Sequence, residues 1–313
     1  MIRGRMDAHA ARPPSRAMPG AALVVGVAAV SSAAILVSLA RAHGIPALWI
    51  AGLRVSVAAL VVVPVAVARC RGEIRSLSGK DVGLGAASGA FLALHFGLWT
   101  TSLDSTSVMS SVVFVSTNPL FVAIASAVLF RETLRGATVA GIAAAMAGGV
   151  IVGLADVAQA GSASTRGDVL ALLAAASGSA YLLVGRRLRP RMSLPLYVGI
   201  VYPVAAGALV ATALIAGAPL QHASLAGLTW VAFLAIGPQL LGHTSYNYAL
   251  KYVSATFVTI TLLAEPIGAT LLAIPALGQV PTLPRVVGGV LILCGILIAA
   301  RAEKPPRNGA PSV

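Results

Sequence analysis

Glu265 and Arg54 are the residues whose charge contrasts most with the sequence around them. Glu265 lies in the apolar stretch 254–276 and is followed by Pro266, and Arg54 lies in the apolar stretch 46–68. A charge at the centre of a membrane helix costs about 2.5–3.5 kcal/mol on insertion scales, so both side chains are expected to face the protein interior. Because Pro266 cannot donate a backbone hydrogen bond, it places the acid beside a broken helix, a combination typical of transport sites.

Two roles stay open for each of these charged residues. Glu265 either carries a proton or contacts a substrate amine, or it is a buried carboxylate that stabilises the helix bundle by pairing with Arg54 or accepting from hydroxyls. Arg54, which is always charged, either binds a substrate carboxylate or phosphate or serves as the counter-ion of Glu265.

Asn118-Pro119 in the first half of the chain corresponds to Glu265-Pro266 in the second half. Pro119 is expected to interrupt its helix as Pro266 does, because neither ring carries a backbone N–H. The Asn118 amide beside this break either binds a polar group of a ligand or satisfies the loosened backbone.

Aromatic residues make up only 5% of the chain, and several fall at helical spacing in apolar stretches. His95 and Trp99 are four positions apart, which places them on one face of a helix. The other aromatic candidates are Tyr181 in the predicted sixth helix and His243 and Tyr246 in the eighth. Asn247 lies beside them on the eighth helix. These residues either line a cavity for an aromatic or amphipathic solute, or, for Trp and Tyr, anchor helix ends at the membrane border. Each histidine is either a hydrogen-bonded structural residue or a proton relay.

The elements that position these residues follow from composition. The 313-residue chain is 58% hydrophobic and 10% charged, with a mean hydropathy of +0.91, so it is expected to be solvated largely by lipid. A bilayer core of about 30 Å needs roughly 20 apolar residues per helix. The predicted fold is an all-α membrane protein with ten transmembrane helices, at 21–40, 46–68, 82–102, 106–129, 136–155, 168–188, 195–217, 226–249, 254–276 and 284–301.

The net charge of +13 is distributed by membrane side. Of the 22 Lys and Arg residues, 18 fall on one side of the predicted helices, three on the other, and Arg54 alone within a span. Positive residues mark the cytoplasmic side. The charge therefore predicts a cell-membrane protein with both termini in the cytoplasm, and no nucleic-acid partner is expected.

The chain repeats itself at an offset of 147 positions. This offset joins Pro119 to Pro266, Gly141 to Gly288, Gly148 to Gly295 and Trp99 to Tyr246. The predicted organisation is a disordered tail at 1–20, five-helix units at 21–156 and 168–302, and a second tail at 303–313. Because five is odd, the second unit is expected to enter the membrane inverted relative to the first. The first stretch is taken as a span and not as a cleaved leader, because its repeat partner lies mid-chain.

The two units resemble a known family. Each has a Pro in its fourth helix and a Gly-x6-Gly in its fifth, as in EamA-type permeases of the drug/metabolite transporter superfamily. The similar stretches are Asn118-Pro119-Leu120-Phe121 through Phe130-Arg131-Glu132-Thr133-Leu134, and Ala255 through Ala264-Glu265-Pro266-Ile267. The resemblance covers residues 21–302 and implies transport of amino acids, sugars, nucleotide-linked sugars or other metabolites. The second unit departs from the family pattern in having Gln279 where the first has Glu132.

The sequence contains no metalloprotease, nucleophile-elbow or phosphate-loop motif, so no enzyme activity, metal or cofactor is expected. The prediction is a secondary transporter that exports a small polar or amphipathic metabolite by alternating access, in exchange for protons through Glu265. The predicted site lies between helices 1–4 and 6–9, while the fifth and tenth helices pack the scaffold or a homodimer face. The alternatives are an uncoupled facilitator, an intramembrane enzyme and a membrane scaffold.

Overall fold

The computed structural model describes residues 17–106, 108–130, 135–160, 165–220, 223–277 and 282–302. All regular structure in these ranges is helical, because a chain solvated by lipid has to satisfy its backbone hydrogen bonds internally. Large apolar side chains cover the outer surface, and Leu60 is 75%, Val128 71% and Ile215 88% exposed. Such exposed apolar surface is typical of a protein that contacts lipid.

The described part of the first half folds into eight helices. These are α1 (Ala17–Val30), α2 (Ala33–Ala42), α3 (Ala47–Arg69), α4 (Arg71–Ser76), α5 (Gly79–Ser102), α6 (Val108–Val115), α7 (Asn118–Phe130) and α8 (Gly136–Ala160).

The second half follows the same plan, with a π-helical segment inserted between α11 and α12. Its elements are α9 (Thr165–Leu188), α10 (Leu194–Ile215), α11 (Leu225–Leu234), the π-helical segment (Ala235–His243), α12 (Thr244–Ala249), α13 (Ala255–Leu262), α14 (Glu265–Leu277) and α15 (Leu283–Ala302). The bounds of α13 and α14 lie 147 positions after those of α6 and α7.

Each of the ten predicted stretches contains helix. Six helical stretches within the described ranges are long and apolar enough to cross a membrane: Ala17–Ala42, Ala47–Arg69, Gly79–Ser102, Thr165–Leu188, Leu194–Ile215 and Leu225–Ala249. Shorter apolar helices are Asn118–Leu129, Gly136–Ile151, Ala255–Ala269 and Val286–Ala302. The chain is therefore a multi-pass membrane protein.

One predicted boundary was wrong. Residues 17–20, assigned to the first tail, belong to α1, since Pro19 falls in the first turn, where its missing N–H removes no helical hydrogen bond. The remainder of that tail, the second tail, and the Glu132 and Gln279 positions lie outside the described residues.

The predicted breaks in the fourth and ninth helices occur just before the prolines. α6 ends at Val115 and α7 begins at Asn118, and α13 ends at Leu262 and α14 begins at Glu265. Each proline thus lies in the first turn of the new helix, where a missing N–H removes no helical hydrogen bond. As a result, Asn118 and Glu265 each begin a helix inside the protein.

The first span is also broken, which the sequence analysis did not predict. α1 ends at Val30 and α2 begins at Ala33. Ser31 Oγ donates to the carbonyl of Val27 at 2.7 Å, and Ser32 Oγ donates to that of Ala29 at 2.8 Å. Serine hydroxyls that bond back to preceding carbonyls compete with the helix ladder and bend or interrupt it.

The π-helical segment distinguishes the two halves. It contains Pro238 and leads to His243, whereas its counterpart, α5, is an uninterrupted α-helix. Pro238 lacks the N–H needed to continue an α-helix, and wider turns accommodate it. Single π turns occur often at functional sites, and this one ends at a residue predicted for the site.

Helices α8 and α15 pack closely through the predicted glycines. A Cβ added at Gly141 would lie 2.8 Å from the carbonyl oxygen of Gly295, and one at Gly148 would lie 2.8 Å from the backbone nitrogen of Ile292. Residue numbers rise along one helix as they fall along the other, so the two equivalent helices run antiparallel. The Gly-x6-Gly pattern therefore serves close packing of the scaffold.

Helices α3 and α10, which are also related by the 147-residue offset, show the same arrangement. A Cβ at Gly52 would lie 3.2 Å from Val210, and one at Gly199 would lie 2.7 Å from Ala66. Along these contacts residue numbers rise in α3 as they fall in α10, so the two helices run antiparallel. Equivalent helices of the two halves therefore run in opposite directions at both interfaces.

Candidate functional site

A central cavity lies where the broken helices of the two halves approach each other. About 780 Å³ of space between the lining atoms, including open solvent at the mouth, belongs to it. Its described lining comes from α1, α2, α3, α5, α6, α7, α9, the π-helical segment, α12, α13 and α14. Among the described residues none from α10, which corresponds to the seventh predicted span, lines the cavity.

Much of the lining obeys the internal repeat. Six pairs of lining residues are separated by 147 positions: Phe96 and His243, Trp99 and Tyr246, Val112 and Thr259, Val115 and Leu262, Ser116 and Leu263, and Asn118 and Glu265. A cavity lined by equivalent residues of both halves lies between the repeats, as binding sites of repeat-built transporters do.

Eight of the nine candidate side chains line this cavity: Glu265, Asn118, Arg54, His95, Trp99, Tyr181, His243 and Tyr246. Pro119 lines it as well. Asn247 does not, and lies behind Tyr181, whose hydroxyl donates to Asn247 Oδ1 at 2.7 Å. Pro266 supports the start of α14 and is not among the lining residues that the structure describes.

Arg54 is buried without a hydrogen-bond acceptor. Its side chain is 1% exposed, and none of its three guanidinium nitrogens has a hydrogen-bond partner within the described part of the chain. Its Cζ lies 4.0 Å from the centroid of the Phe96 ring, a cation–π contact. The described residues form no salt bridge between Arg54 and Glu265, although both line the cavity. The structure therefore does not contain the direct ion pair that was one sequence-based alternative.

The histidines form the centre of an aromatic cluster. His95 Nδ1 lies 2.8 Å from the carbonyl oxygen of Ala174, so this nitrogen carries the proton, because a carbonyl can only accept. The His243 ring centroid lies 4.9 Å from that of Phe96 and 6.3 Å from that of His95. His243 Nδ1 has no hydrogen-bond partner among the described residues. The two histidines therefore differ: the backbone holds His95, whereas His243 Nδ1 is buried without a partner in the described part of the chain.

Trp99 and Tyr246 are placed in the protein interior. Trp99 is 6% and Tyr246 1% exposed, and the Tyr246 ring lies 5.9 Å from that of His243. The Tyr246 hydroxyl is buried without a partner in the described part of the structure. Both positions fit the cavity-lining interpretation, since a side chain that anchors a helix at the membrane border contacts lipid headgroups.

Each broken helix contacts a serine from the first span of the other half. Ser179 Oγ in α9 lies 3.1 Å from Asn118 Oδ1, and Ser31 Oγ lies 3.3 Å from the carbonyl oxygen of Glu265. Sequence reasoning did not select these serines. Their signal was visible in the repeat alignment, where Ser179 corresponds to Ser32, the neighbour of Ser31.

Comparison with known proteins identifies the fold and the family. The model of the EamA-like transporter family matches residues 18–154 and 165–301, two units whose starts are 147 positions apart. An uncharacterized transporter of Clostridium kluyveri is 25% identical over 258 residues, which cover 79% of this chain and 81% of the relative. The uncharacterized transporter YyaM of Bacillus subtilis is 24% identical over 218 residues, covering 67% and 70% of the two chains.

A solved crystal structure covers 93% of this chain and 100% of its own, with a TM-score of 0.76 and 21% sequence identity. At this identity the likeness shows the fold alone. The family model, in contrast, matches nearly the whole chain in two units. The protein is a membrane transporter, and it belongs to the EamA-like transporter family.

Proposed function

We propose that this protein is a secondary transporter that exports a small polar or amphipathic metabolite by alternating access, with the central cavity as its binding site. The observation that carries this proposal is a largely apolar cavity with a few polar and charged side chains, lined by repeat-equivalent residues of both halves. Its lining residues Arg54, His243 and Tyr246 carry buried polar atoms without a hydrogen-bond partner in the described part of the chain. A scaffold protein would have no use for such a cavity, since buried polar groups without partners destabilise the fold.

The proposed topology is ten spans in two inverted five-helix repeats. Ten apolar helical stretches and the antiparallel packing of α8 with α15 and of α3 with α10 support it. Inverted repeats give two conformations of similar energy, because each half can adopt the shape of the other. A solute between them then faces opposite sides of the membrane in turn.

The proposed location is the cytoplasmic membrane, with both termini in the cytoplasm. The distribution of Lys and Arg supports this orientation, with 18 of 22 on the side of the termini. The outer faces of α8 and α15, which contribute nothing to the described cavity lining, are the surfaces we propose for a homodimer.

The proposed coupling group is Glu265. It is the one carboxylate among the described lining residues, and its repeat counterpart, Asn118, cannot release a proton. Glu265 therefore gives one half of the cavity a titratable group that the other half lacks. Exchange follows if the solute binds only after this carboxylate has released its proton.

The test is solute flux in proteoliposomes containing the full chain, measured with and without a pH gradient. We expect the gradient to accelerate export by the wild-type protein and to have no effect on Glu265→Gln, whose flux then follows the solute gradient alone. Glu73→Gln is the matched control, because Glu73 lies in α4, outside the cavity, where its Oε2 accepts from Ser193 N at 2.9 Å. Full pH dependence in Glu265→Gln would remove Glu265 from the coupling step. If no ion gradient drives the solute against its own concentration gradient in the wild-type protein, the protein is an uncoupled facilitator.

A further inference from the structure

From the environment of Arg54 we infer that the transported solute is an organic carboxylate, and that Arg54 binds its carboxylate group. This inference rests on the proposed transport function and adds the chemical class of the solute. The guanidinium lies against the face of Phe96, and Arg54 is one of the residues that line the cavity. Its planar set of N–H donors matches the geometry of a carboxylate.

The first argument is the lack of any acceptor. A buried guanidinium without a partner is strongly unfavourable, and buried charges in proteins are paired or hydrogen-bonded. All three guanidinium nitrogens of Arg54 lack a partner among the described residues, and the described salt bridges do not include it. An anion entering the cavity would supply the missing acceptor.

The second argument is the contrast with Arg189, which is equally buried but structural. Arg189 is 2% exposed. Its Nε donates to the carbonyl of Asn247 at 2.8 Å, and its NH1 donates to that of Met192. An arginine that stabilises this fold is thus bonded to backbone carbonyls, and Arg54 is not.

The third argument is the position of Arg54 in the repeat. Its counterpart, 147 residues later, is Val201, which is fully buried and does not line the cavity. The symmetric packing of the two halves therefore does not require an arginine at this place. We therefore assign the Arg54 charge, which only one half carries, to ligand recognition and not to helix packing.

The rest of the cavity suggests what the carboxylate is attached to. Aromatic rings of Phe96, Trp99, Tyr181 and Tyr246 line the cavity, and they offer faces to a planar apolar group. The free His243 Nδ1 and Tyr246 hydroxyl add polar contacts. A carboxylate on a planar apolar body would thus satisfy the charged and the aromatic parts of the lining together.

The experiment measures binding of 3-phenylpropanoate to the purified full chain in detergent, by ligand-induced thermal shift and by Trp fluorescence. The neutral isostere 3-phenylpropanamide and inorganic phosphate are the comparison ligands. We expect 3-phenylpropanoate to bind the wild-type protein at least tenfold more tightly than either of the other two. Arg54→Gln is expected to lose this preference, and Arg54→Lys to keep part of it, because lysine retains the charge without the planar fork.

Unliganded Arg54→Gln is expected to melt at or above the wild-type temperature, since the substitution removes an unpaired buried charge. The matched variant Arg189→Gln is expected to melt at a lower temperature and to keep the preference for 3-phenylpropanoate. If Arg54→Gln does not fold, Arg54→Lys still tests the inference, because a purely structural charge would leave the ligand preference unchanged in that variant.

Three results would overturn the inference: no binding of 3-phenylpropanoate, equal binding of the amide or of phosphate, or an unchanged preference in both Arg54 variants. Flux in proteoliposomes separates this failure from failure of the proposed function. Flux of a neutral or cationic solute that is unaffected in Arg54→Gln would leave the transporter proposal standing and remove the anion site. Arg54-dependent binding of 3-phenylpropanoate without flux of any solute would support the anion site and contradict the transporter proposal.

Discussion

At the residue scale, polarity was the most informative signal in the sequence. A polar side chain in a chain solvated by lipid has to face other protein or an internal cavity, and eight of nine candidates do line one cavity. Asn247 is the exception, because its side chain bonds the Tyr181 hydroxyl behind the lining. Apolar lining residues such as Val112 and Leu262 could not be predicted, since an inward-facing Val or Leu looks the same in sequence as a lipid-facing one.

Asn247 instead forms part of the wall that supports Tyr181. Its Oδ1 accepts from the Tyr181 hydroxyl at 2.7 Å, and both side chains are buried. Asn247→Ala is expected to lower the free energy of unfolding by about 1–3 kcal/mol, because it leaves a buried hydroxyl without an acceptor. Thermal or denaturant unfolding in detergent measures this loss.

A double-mutant cycle with Tyr181→Phe checks the cause. If the two groups stabilise the protein through their mutual bond, the double variant loses less stability than the two single losses combined. Additive losses would show that the hydrogen bond between Tyr181 and Asn247 contributes nothing to stability.

At the element scale, helix breaks could be predicted from sequence where a proline lies in the first turn of the helix that follows the break. The breaks before Pro119 and Pro266 are confirmed. The break at Ser31 was missed because serine is common within membrane helices, and its effect depends on which carbonyl its hydroxyl reaches. The π-helical segment was missed because Pro238 can kink, end or widen a helix, and packing around it selects among these.

The glycines of α8 allow a sharp test of close helix packing. A Cβ at Gly148 would lie 2.8 Å from Ile292 N, whereas one at the adjacent Gly149 meets nothing within 4 Å. Gly148→Ala is expected to destabilise the protein by about 1–3 kcal/mol, because the added methyl group forces α8 and α15 apart. Gly149→Ala is the control and is expected to be neutral or stabilising by up to about 1 kcal/mol, since alanine favours helix.

Thermal unfolding of both variants in one detergent gives the comparison. Equal melting temperatures for Gly148→Ala and Gly149→Ala would mean that α8 and α15 are not held as closely as the structure indicates. The outcome bears on the scaffold and not on the cavity, because no described residue of α8 or α15 lines it.

At the scale of the whole molecule, a symmetric backbone carries asymmetric charge. Equivalent positions hold Asn118 and Glu265 in one case, and Arg54 and Val201 in the other. The offset of 147 was readable from sequence because both halves keep the spacing of their apolar stretches, of one proline (Pro119 and Pro266) and of the paired glycines. The charges could not be assigned to one cavity from sequence, since their distance depends on how the halves pack. Symmetric shape with asymmetric charge lets two similar conformations differ in how they bind a solute or a proton.

The proposed inversion of the repeats predicts the membrane side of equivalent loops. Gly72, in the first turn of α4, and Pro219, which follows α10, are both exposed and are separated by 147 positions. If each repeat has an odd number of spans, such equivalent positions lie on opposite sides of the membrane, and the proposed orientation places Gly72 in the cytoplasm. In a background without Cys70 and Cys294, Pro219→Cys is expected to react with a membrane-impermeant maleimide in intact cells. Gly72→Cys is expected to react only after permeabilisation, and its glycine can be replaced because a Cβ there meets nothing within 4 Å.

Labelling of both cysteines from the same side would mean that the repeats are parallel, and the exchange of shapes between the halves could not then open the cavity to each side in turn.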